Sequence, residues 1–316
     1  MKTLLSTAAI IFTTFTLASA QSVPRATGGG YAVPVQMVVT AEPLYGSGIP
    51  LINLGDIRVL QDQTSLPVTE LVPLQGDMAG LELYILIDEK VNPSAAARFD
   101  EIRRFISSQA STTAVGIAYM HNGEANTVQT PTRDHARAAQ ALVPPTGNVS
   151  AMADPFNSLS ALINGWSVGT PRREVLVVTD GVDIFENVGY ANMFVDIAVS
   201  DAQHAGVQVY CFYAPGGGHA SHSPALIRGG QAYLAQLAEE TGGEAYFNAN
   251  ELEPSPSFEP YLADMARHFA HQYRITFLAS PVAGHAFRRV TFTTPIPNVE
   301  VTSARGFYLD AEASRP

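Results

Sequence analysis

The sequence predicts an α/β fold: a doubly wound, mostly parallel sheet accompanied by a small β unit built from N- and C-terminal strands. Three observations carry that prediction. Near-continuous apolar runs such as LELYILID (81–88) and EVLVVTD (174–180) read as strands covered on both faces. Helical patterns separate such runs at a regular pitch, which implies right-handed crossovers and parallel pairing. Outside that block, toward both ends of the chain, shorter alternating runs are broken by glycine and proline.

Taken in order, residues 1–20 read as a signal peptide. Lys2 is followed by an apolar stretch from Leu4 to Leu17, and Ala18-Ser19-Ala20 precedes Gln21. That core is too short to span a bilayer as a mature helix, so the pattern predicts export, to the periplasm or the medium. Residues 21–79 form an N-terminal β segment, with a small-residue leader at 21–30 and strands over Val33–Thr40, Ile57–Leu60 and Leu66–Leu74. A junction follows at Gly76–Gly80.

Residues 80–272 form the α/β domain. After the strand at 81–88, Ser94 to Gln109 places Ala97, Ile102, Phe105 and Ile106 at helical spacing, with Arg98, Arg103 and Arg104 opposite. TAVGIAYM (113–120) is the next strand, and Asn122-Gly123 a hairpin turn. Helices at about 133–143 and about 155–165 lead to the strand at 174–180. A helix at 190–204, a strand at 207–214, a helix at 229–241 closed by Gly242-Gly243, a strand at 244–249 and a helix from Phe258 to His271 complete the block. Residues 273–316 return to β texture, at 273–280, 287–294 and 299–309. These strands are expected to pair with the N-terminal ones, splitting the β unit around the α/β domain.

Composition narrows the function. Eighteen Lys plus Arg face 29 Asp plus Glu, for a net charge of −11, with 46% apolar and 15% charged residues. That is an ordinary globular balance. A nucleic-acid groove needs clustered Lys and Arg, so no nucleic-acid partner is expected. Anionic membranes are disfavoured too, and past the leader no apolar run is long enough to span a membrane. Cys211 is the only cysteine, which excludes an internal disulfide framework and multi-cysteine metal sites. Lying between Tyr210 and Phe212 in a strand, it reads as a small buried apolar residue.

Where a nucleotide-binding unit would place a glycine-rich turn, the chain reads DEKVNPS (88–94). Neither a P-loop nor a nucleophile elbow is present. Strands end in acids instead: Asp88, and Asp180 within TDGVD (179–183). Ligands of open parallel sheets bind beyond the carboxyl ends of the strands, and carboxylates converging there suit a hard divalent cation. Strand-end aspartates equally serve as caps of the next turn or helix. His219 and His222, in GGGHASHS (216–223), lack a third ligand of evident spacing and read as loop residues. His268 and His271 suit a helix C-terminus. No serine, histidine or aspartate falls in a triad setting, so no catalytic residue is assigned.

The succession LELYILID, a helix, TAVGIAYM, a helical pair and REVLVVTDGVD (173–183) resembles a von Willebrand factor type A (VWA) domain. More narrowly, the mature chain resembles bacterial secreted VWFA-related domain proteins. PRREVLVVTDGVD (171–183), DAQHAGVQVYCFYAPGGGHASHS (201–223), LAEETGGEAYF (237–247), HQYRITF (271–277), VTSARGFYL (301–309) and DIRVLQD (56–62) carry that resemblance. It implies a metal-ion-dependent adhesion site: Asp-x-Ser-x-Ser after the first strand, a threonine from a later loop, an aspartate ending the fourth strand, and Mg²⁺ with one position open to a partner's acidic group. Asp88 and Asp180 stand at the acidic positions. Lys90 and Asn92 stand at the serine positions, and Asp154 at the threonine position, with Thr146 the nearest alternative.

The departure from the pattern is physical. A protonated lysine has three donors and no acceptor, so Lys90 is no ligand. Its ammonium is expected to neutralise Asp88, Asp154 and Asp180 in place of a metal, because converging carboxylates need a cation. Mg²⁺ is the alternative occupant, with Asn92 and Asp183 as further oxygen ligands. The leading expectation is therefore an exported, non-catalytic interaction or adhesion module that binds a protein or polysaccharide partner at the strand ends, without a cofactor. The competing one is a hydrolase using Asp88 and Asp180 as a carboxylate pair or metal centre, which Lys90 and the want of a nucleophile oppose. A third reading is a passive subunit of an envelope assembly.

Overall fold

The computed structural model describes residues 32–46, 48, 51–145, 154–167, 172–183, 192–217, 223–247, 257–279 and 287–309. The leader at 1–20, Thr146, His219 and His222 lie outside the described residues. The chain begins with β1 (Val33–Pro43), β2 (Arg58–Gln61), β3 (Thr64–Leu66) and β4 (Val68–Pro73). The α/β block follows as β5 (Leu81–Asp88), α1 (Pro93–Ala96), α2 (Phe99–Ser107), β6 (Thr113–His121), β7 (Glu124–Thr132), α3 (His135–Ala141) and α4 (Pro155–Gly165). It continues with β8 (Arg173–Thr179), α5 (Met193–Ala205), β9 (Val207–Tyr213), α6 (Pro224–Thr241), β10 (Ala245–Tyr246) and α7 (Glu259–Ala270). Last come β11 (Gln272–Ala279), β12 (Phe287–Thr293), β13 (Val299–Ser303) and β14 (Gly306–Tyr308).

Six strands form the central sheet in the order β10-β9-β8-β5-β6-β7. All neighbouring pairs are parallel except β6 with β7, the hairpin turned by Asn122-Gly123. Alternate residues of each buried strand feed two separate cores. Leu83, Ile85 and Ile87 of β5, with Leu176 and Val178 of β8, pack under α2, α3 and α7. Tyr84 and Leu86, with Val175 and Val177, pack under α4, α5 and α6. Two-sided cover is why these strands read as unbroken apolar runs. β5 is followed by β6 on one side and, after crossing, by β8 on the other, so strand order reverses between β5 and β8. That reversal opens a crevice at their carboxyl ends.

Several boundaries differ from the sequence expectation, each for a local reason. The helix expected over 94–109 is two pieces, because the chain turns at Ala97 and Arg98 between α1 and α2. Pro67, which has no N–H to donate, divides the strand expected over 66–74 into β3 and β4. α6 begins at Pro224, five residues before the expected start, with proline at the favoured first position. Of the strand expected over 244–249, Ala245–Tyr246 forms β10, and residues 248–249 lie outside the described residues.

The outer strands build a sandwich of two four-stranded sheets, β13-β1-β11-β4 and β14-β12-β2-β3. N-terminal strands thus pair with C-terminal ones, β1 with β11 and β2 with β12. Between the sheets, Val39, Val59, Ile275, Phe277, Phe292 and Phe307 form a third core. A polar seam joins this sandwich to the α/β block. Arg172 donates to Glu174 (3.2 Å) and to the carbonyls of Phe269 (3.1 Å) and Ala79 (3.4 Å). Beside it, Gln272 donates to Gln208 Oε1 at 2.8 Å. Burial raises the Glu174 carboxyl above its ordinary value, and the Arg172 charge opposes that rise.

Candidate functional site

β5 delivers Asp88 to the crevice as its last residue, and β8 delivers Thr179 and then Asp180 alongside it. The Thr179 hydroxyl donates to Asp88 Oδ2 at 2.7 Å, and the Lys90 N–H donates to Asp88 Oδ1 at 2.9 Å. The turn therefore folds back, and the Lys90 side chain reaches between the two strand ends. Its Nζ lies 3.6 Å from Asp88 Oδ2 and 3.4 Å from Asp180 Oδ1, and donates to the Val182 carbonyl at 3.4 Å. Asp180 Oδ1 also accepts the Val182 N–H at 2.9 Å.

The turn carrying Lys90 is stitched to the end of β9. Gly217 N–H donates to the Lys90 carbonyl at 2.7 Å, and Asn92 N–H donates to the Pro215 carbonyl at 2.9 Å. Val91 and Gly216 form an antiparallel bridge between those bonds. On the other flank, Gly181 has φ +68°, and the loop after β8 presses on α6 so closely that a Cβ on Gly230 would stand 2.5 Å from the Asp180 carbonyl oxygen. Backbone, not side-chain bulk, sets the position of Asp180.

Asp88, Lys90 and Asp180 are 4%, 6% and 1% exposed, so water screens them little. Burial raises the Asp88 carboxyl above its ordinary range; the Lys90 charge opposes this and Asp180 adds to it. For Lys90, burial pulls the ammonium down, but Asp88 and Asp180 together outweigh it and hold the group above the ordinary lysine value. One ammonium thus stands between two carboxylates, while the Thr179 hydroxyl and backbone N–H groups disperse the remaining charge.

The other sequence candidates are placed differently. Asp154 caps α4, accepting from Asn157 N at 3.2 Å and from Asn157 Nδ2 at 2.8 Å, and lies beside the β6–β7 turn at Gly123. Asn92 caps α1 by accepting the Ser94 N–H at 2.7 Å. Buried Asp183 receives a hydrogen bond from Asn192 Nδ2 at 3.3 Å, and Asn192 in turn caps α5. At the rim, Glu89 meets His121 Nδ1 at 2.9 Å. Cys211 is buried and its thiol is raised by burial. Neither Thr179 nor Asn192 was singled out from the sequence. Thr179 sits inside the TDGVD run, and Asn192 two residues before Phe194 carries the signature of a helix N-cap.

These residues do not fit a divalent cation. Mg²⁺ needs a near-octahedral oxygen shell at about 2.0–2.1 Å. Here an ammonium stands between the two carboxylates, and Asn92 and Asp154 direct their oxygens to their own helices. Among the described residues, no group of three or more His, Cys, Asp or Glu side chains is arranged to hold a metal.

Strand order, the single antiparallel strand and the acid-tipped crevice define the class: the block is a doubly wound α/β sheet, parallel apart from one antiparallel edge strand. No protein-family model and no curated protein matches the sequence. Among solved structures, the chain is similar to an aerotolerance-related membrane protein of Bacteroides fragilis, with 18% identity, TM-score 0.42, and 60% of this chain and 98% of that one covered. It is also similar to the conserved hypothetical protein BatB of Bacteroides thetaiotaomicron, with 17% identity, TM-score 0.44, and 60% and 97% covered. A third is the ArnB paralog VWA2 of Sulfolobus acidocaldarius, with 9% identity, TM-score 0.38, and 85% and 75% covered. No helix among the described residues is long and apolar enough to cross a membrane.

Proposed function

We propose that this chain is an exported, non-catalytic binding module that engages a protein or polysaccharide partner at the carboxyl ends of its parallel strands, with Lys90 standing where an adhesion site would hold Mg²⁺. The observation that carries this reading is the Lys90 ammonium, 3.4 Å from Asp180 and 3.6 Å from Asp88. A charge-compensated crevice needs no metal to keep its two carboxylates together, and the loops around it stay preorganised for a partner. Met193, exposed on the first turn of α5 beside Asn192, offers an apolar contact on the same rim. A hydrolytic reading would use Asp88, raised by burial, as a general acid. The same geometry opposes it, because both carboxylates are engaged by Lys90 and Asp88 also accepts the Thr179 hydroxyl.

The test is titration calorimetry with Mg²⁺ and Mn²⁺ on the wild type and on Lys90→Ser, which restores the Asp-x-Ser spacing. The wild type is expected to give no saturable heat, and the variant to gain metal-dependent thermal stabilisation. Saturable wild-type heats abolished by Asp88→Ala would overturn the metal-free reading. Hydrolase activity lost in Asp180→Ala would replace the binding module with an enzyme.

A further inference from the structure

The second site lies at the opposite end of the sheet. β1 pairs with β11 along Val33 to Thr40, but on its other side β13 covers only Val39 to Pro43. Among the described residues, no strand pairs with the edge from Val33 to Met37, and the Val38 carbonyl accepts from Ser303 and Gln208. Its backbone direction can be read from its neighbours. Ala41 donates to the His271 carbonyl on the β11 side, whereas the carbonyls of Thr40 and Val38 accept from Thr302 and Ser303 on the β13 side. Strand alternation then points the N–H and C=O of Gln36 and the C=O of Pro34 toward the open side. Among the described residues nothing pairs with them, and both side chains are exposed.

This edge forms one wall of a groove of about 610 Å³ between the sandwich and the amino-terminal end of the parallel sheet. Facing it are the C-terminal turn of α5 and the strand β14, which contribute Gly206 and Phe307. Two guanidinium groups line it. Arg173 is anchored on the Ala205 carbonyl and lies over Trp166, and Arg274 reaches Glu70 only at 3.9 Å, with its Nε buried and without a partner. Burial lowers the Arg173 group from its ordinary value, and the Glu82 carboxylate only partly offsets this, so another anion would be favoured there. Two guanidinium groups on one groove are a local departure in a chain of net charge −11.

We infer that the open edge of β1 is a docking site for an extended peptide segment carrying an acidic side chain, which adds as a strand beside Val33–Met37 and places its carboxylate against Arg173 and Arg274. Strand addition satisfies the Gln36 and Pro34 groups, and the arginines supply the side-chain preference. The site is independent of the Lys90 crevice.

To test it, the mature protein is offered a random panel of N-acetylated, C-amidated peptides about eight residues long. Amide exchange of Gln36 and Val38 is followed by NMR at saturating concentrations of the best binder. Acidic, alternating sequences are expected to be enriched and to slow exchange at Gln36. Gln36→Pro, which removes one edge donor, is expected to weaken binding about tenfold or more with the melting temperature retained. The proposal is overturned by a panel without acidic preference, by binding indifferent to Gln36→Pro, or by unchanged Gln36 exchange in the wild type, a readout that stands if the variant does not fold. A dimer converted to monomer by Gln36→Pro would assign the edge to a second copy and likewise overturn it.

Discussion

At the scale of single residues, the protein turns on one lysine. A buried carboxylate pair is unstable alone, and removing the ammonium that pairs with both, Lys90, costs on the order of 3–5 kcal/mol. Lys90→Met is therefore expected to lose about that much near neutrality, measured by urea unfolding. The pH dependence has a definite sign. Both Asp88 and Lys90 have native values above their ordinary ones, so each contributes stability below its ordinary value and loses it as pH rises through the native value. In Lys90→Met the carboxylates can be relieved only by protonation, so its deficit is expected to shrink as pH falls toward the ordinary aspartate range. A deficit unchanged on acidification would mean that Lys90 acts by packing alone. The sequence made Asp88, Lys90 and Asp180 visible because each sits at or just beyond a strand end. It placed Asp154 in the same company, whereas that side chain caps α4. Both uses of a strand- or helix-end aspartate look alike in sequence, because capping and charge clustering demand the same residue type.

At the scale of elements, the strands and helices were the most legible part. Period-two and period-3.6 patterns are local, and each strand of the central sheet announces its double cover through an unbroken apolar run. What local pattern missed were interruptions of one or two residues: the turn at Ala97 and Arg98, and Pro67 between β3 and β4. Close backbone approaches are equally silent. Gly206 closes α5 at φ +64° with open space around it, whereas Gly230 meets the Asp180 carbonyl. Gly206→Ala should cost on the order of 1 kcal/mol, the penalty of a left-handed conformation. Gly230→Ala should cost about 1–3 kcal/mol by overpacking, and should also displace the loop holding Asp180. Denaturation midpoints and the Lys90 side-chain NMR signal check both; equal costs with an unmoved signal would show that α6 yields without disturbing the crevice.

At the scale of the whole molecule, Gln208 crosses from the α/β block to Gln272 and Val38 of the sandwich, and Arg172 braces the chain linking the two. Its guanidinium is the only cation hydrogen-bonded to fully buried Glu174 among the described residues, and it also holds carbonyls from the chain before β5 and at the end of α7. Arg172→Met is expected to cost about 3–5 kcal/mol near neutrality. The loss should ease on acidification, because a Glu174 carboxyl raised by burial favours the native state when protonated. Calorimetric unfolding at neutral and mildly acidic pH checks this, and a broadened or split transition would show the two units uncoupling. Periodicity and strand-end chemistry were enough to place the α/β texture, the β segments at both ends and the acids that tip two strands, since all of these are written within short windows. Which acids meet was settled by packing. Asp88 and Asp180 share a lysine because strand order reverses between β5 and β8, and among the described residues the start of β1 has no second neighbour because β13 stops short of it. Neighbourhood between distant segments comes from how sheets are ordered and registered, and no short window of the chain carries that information.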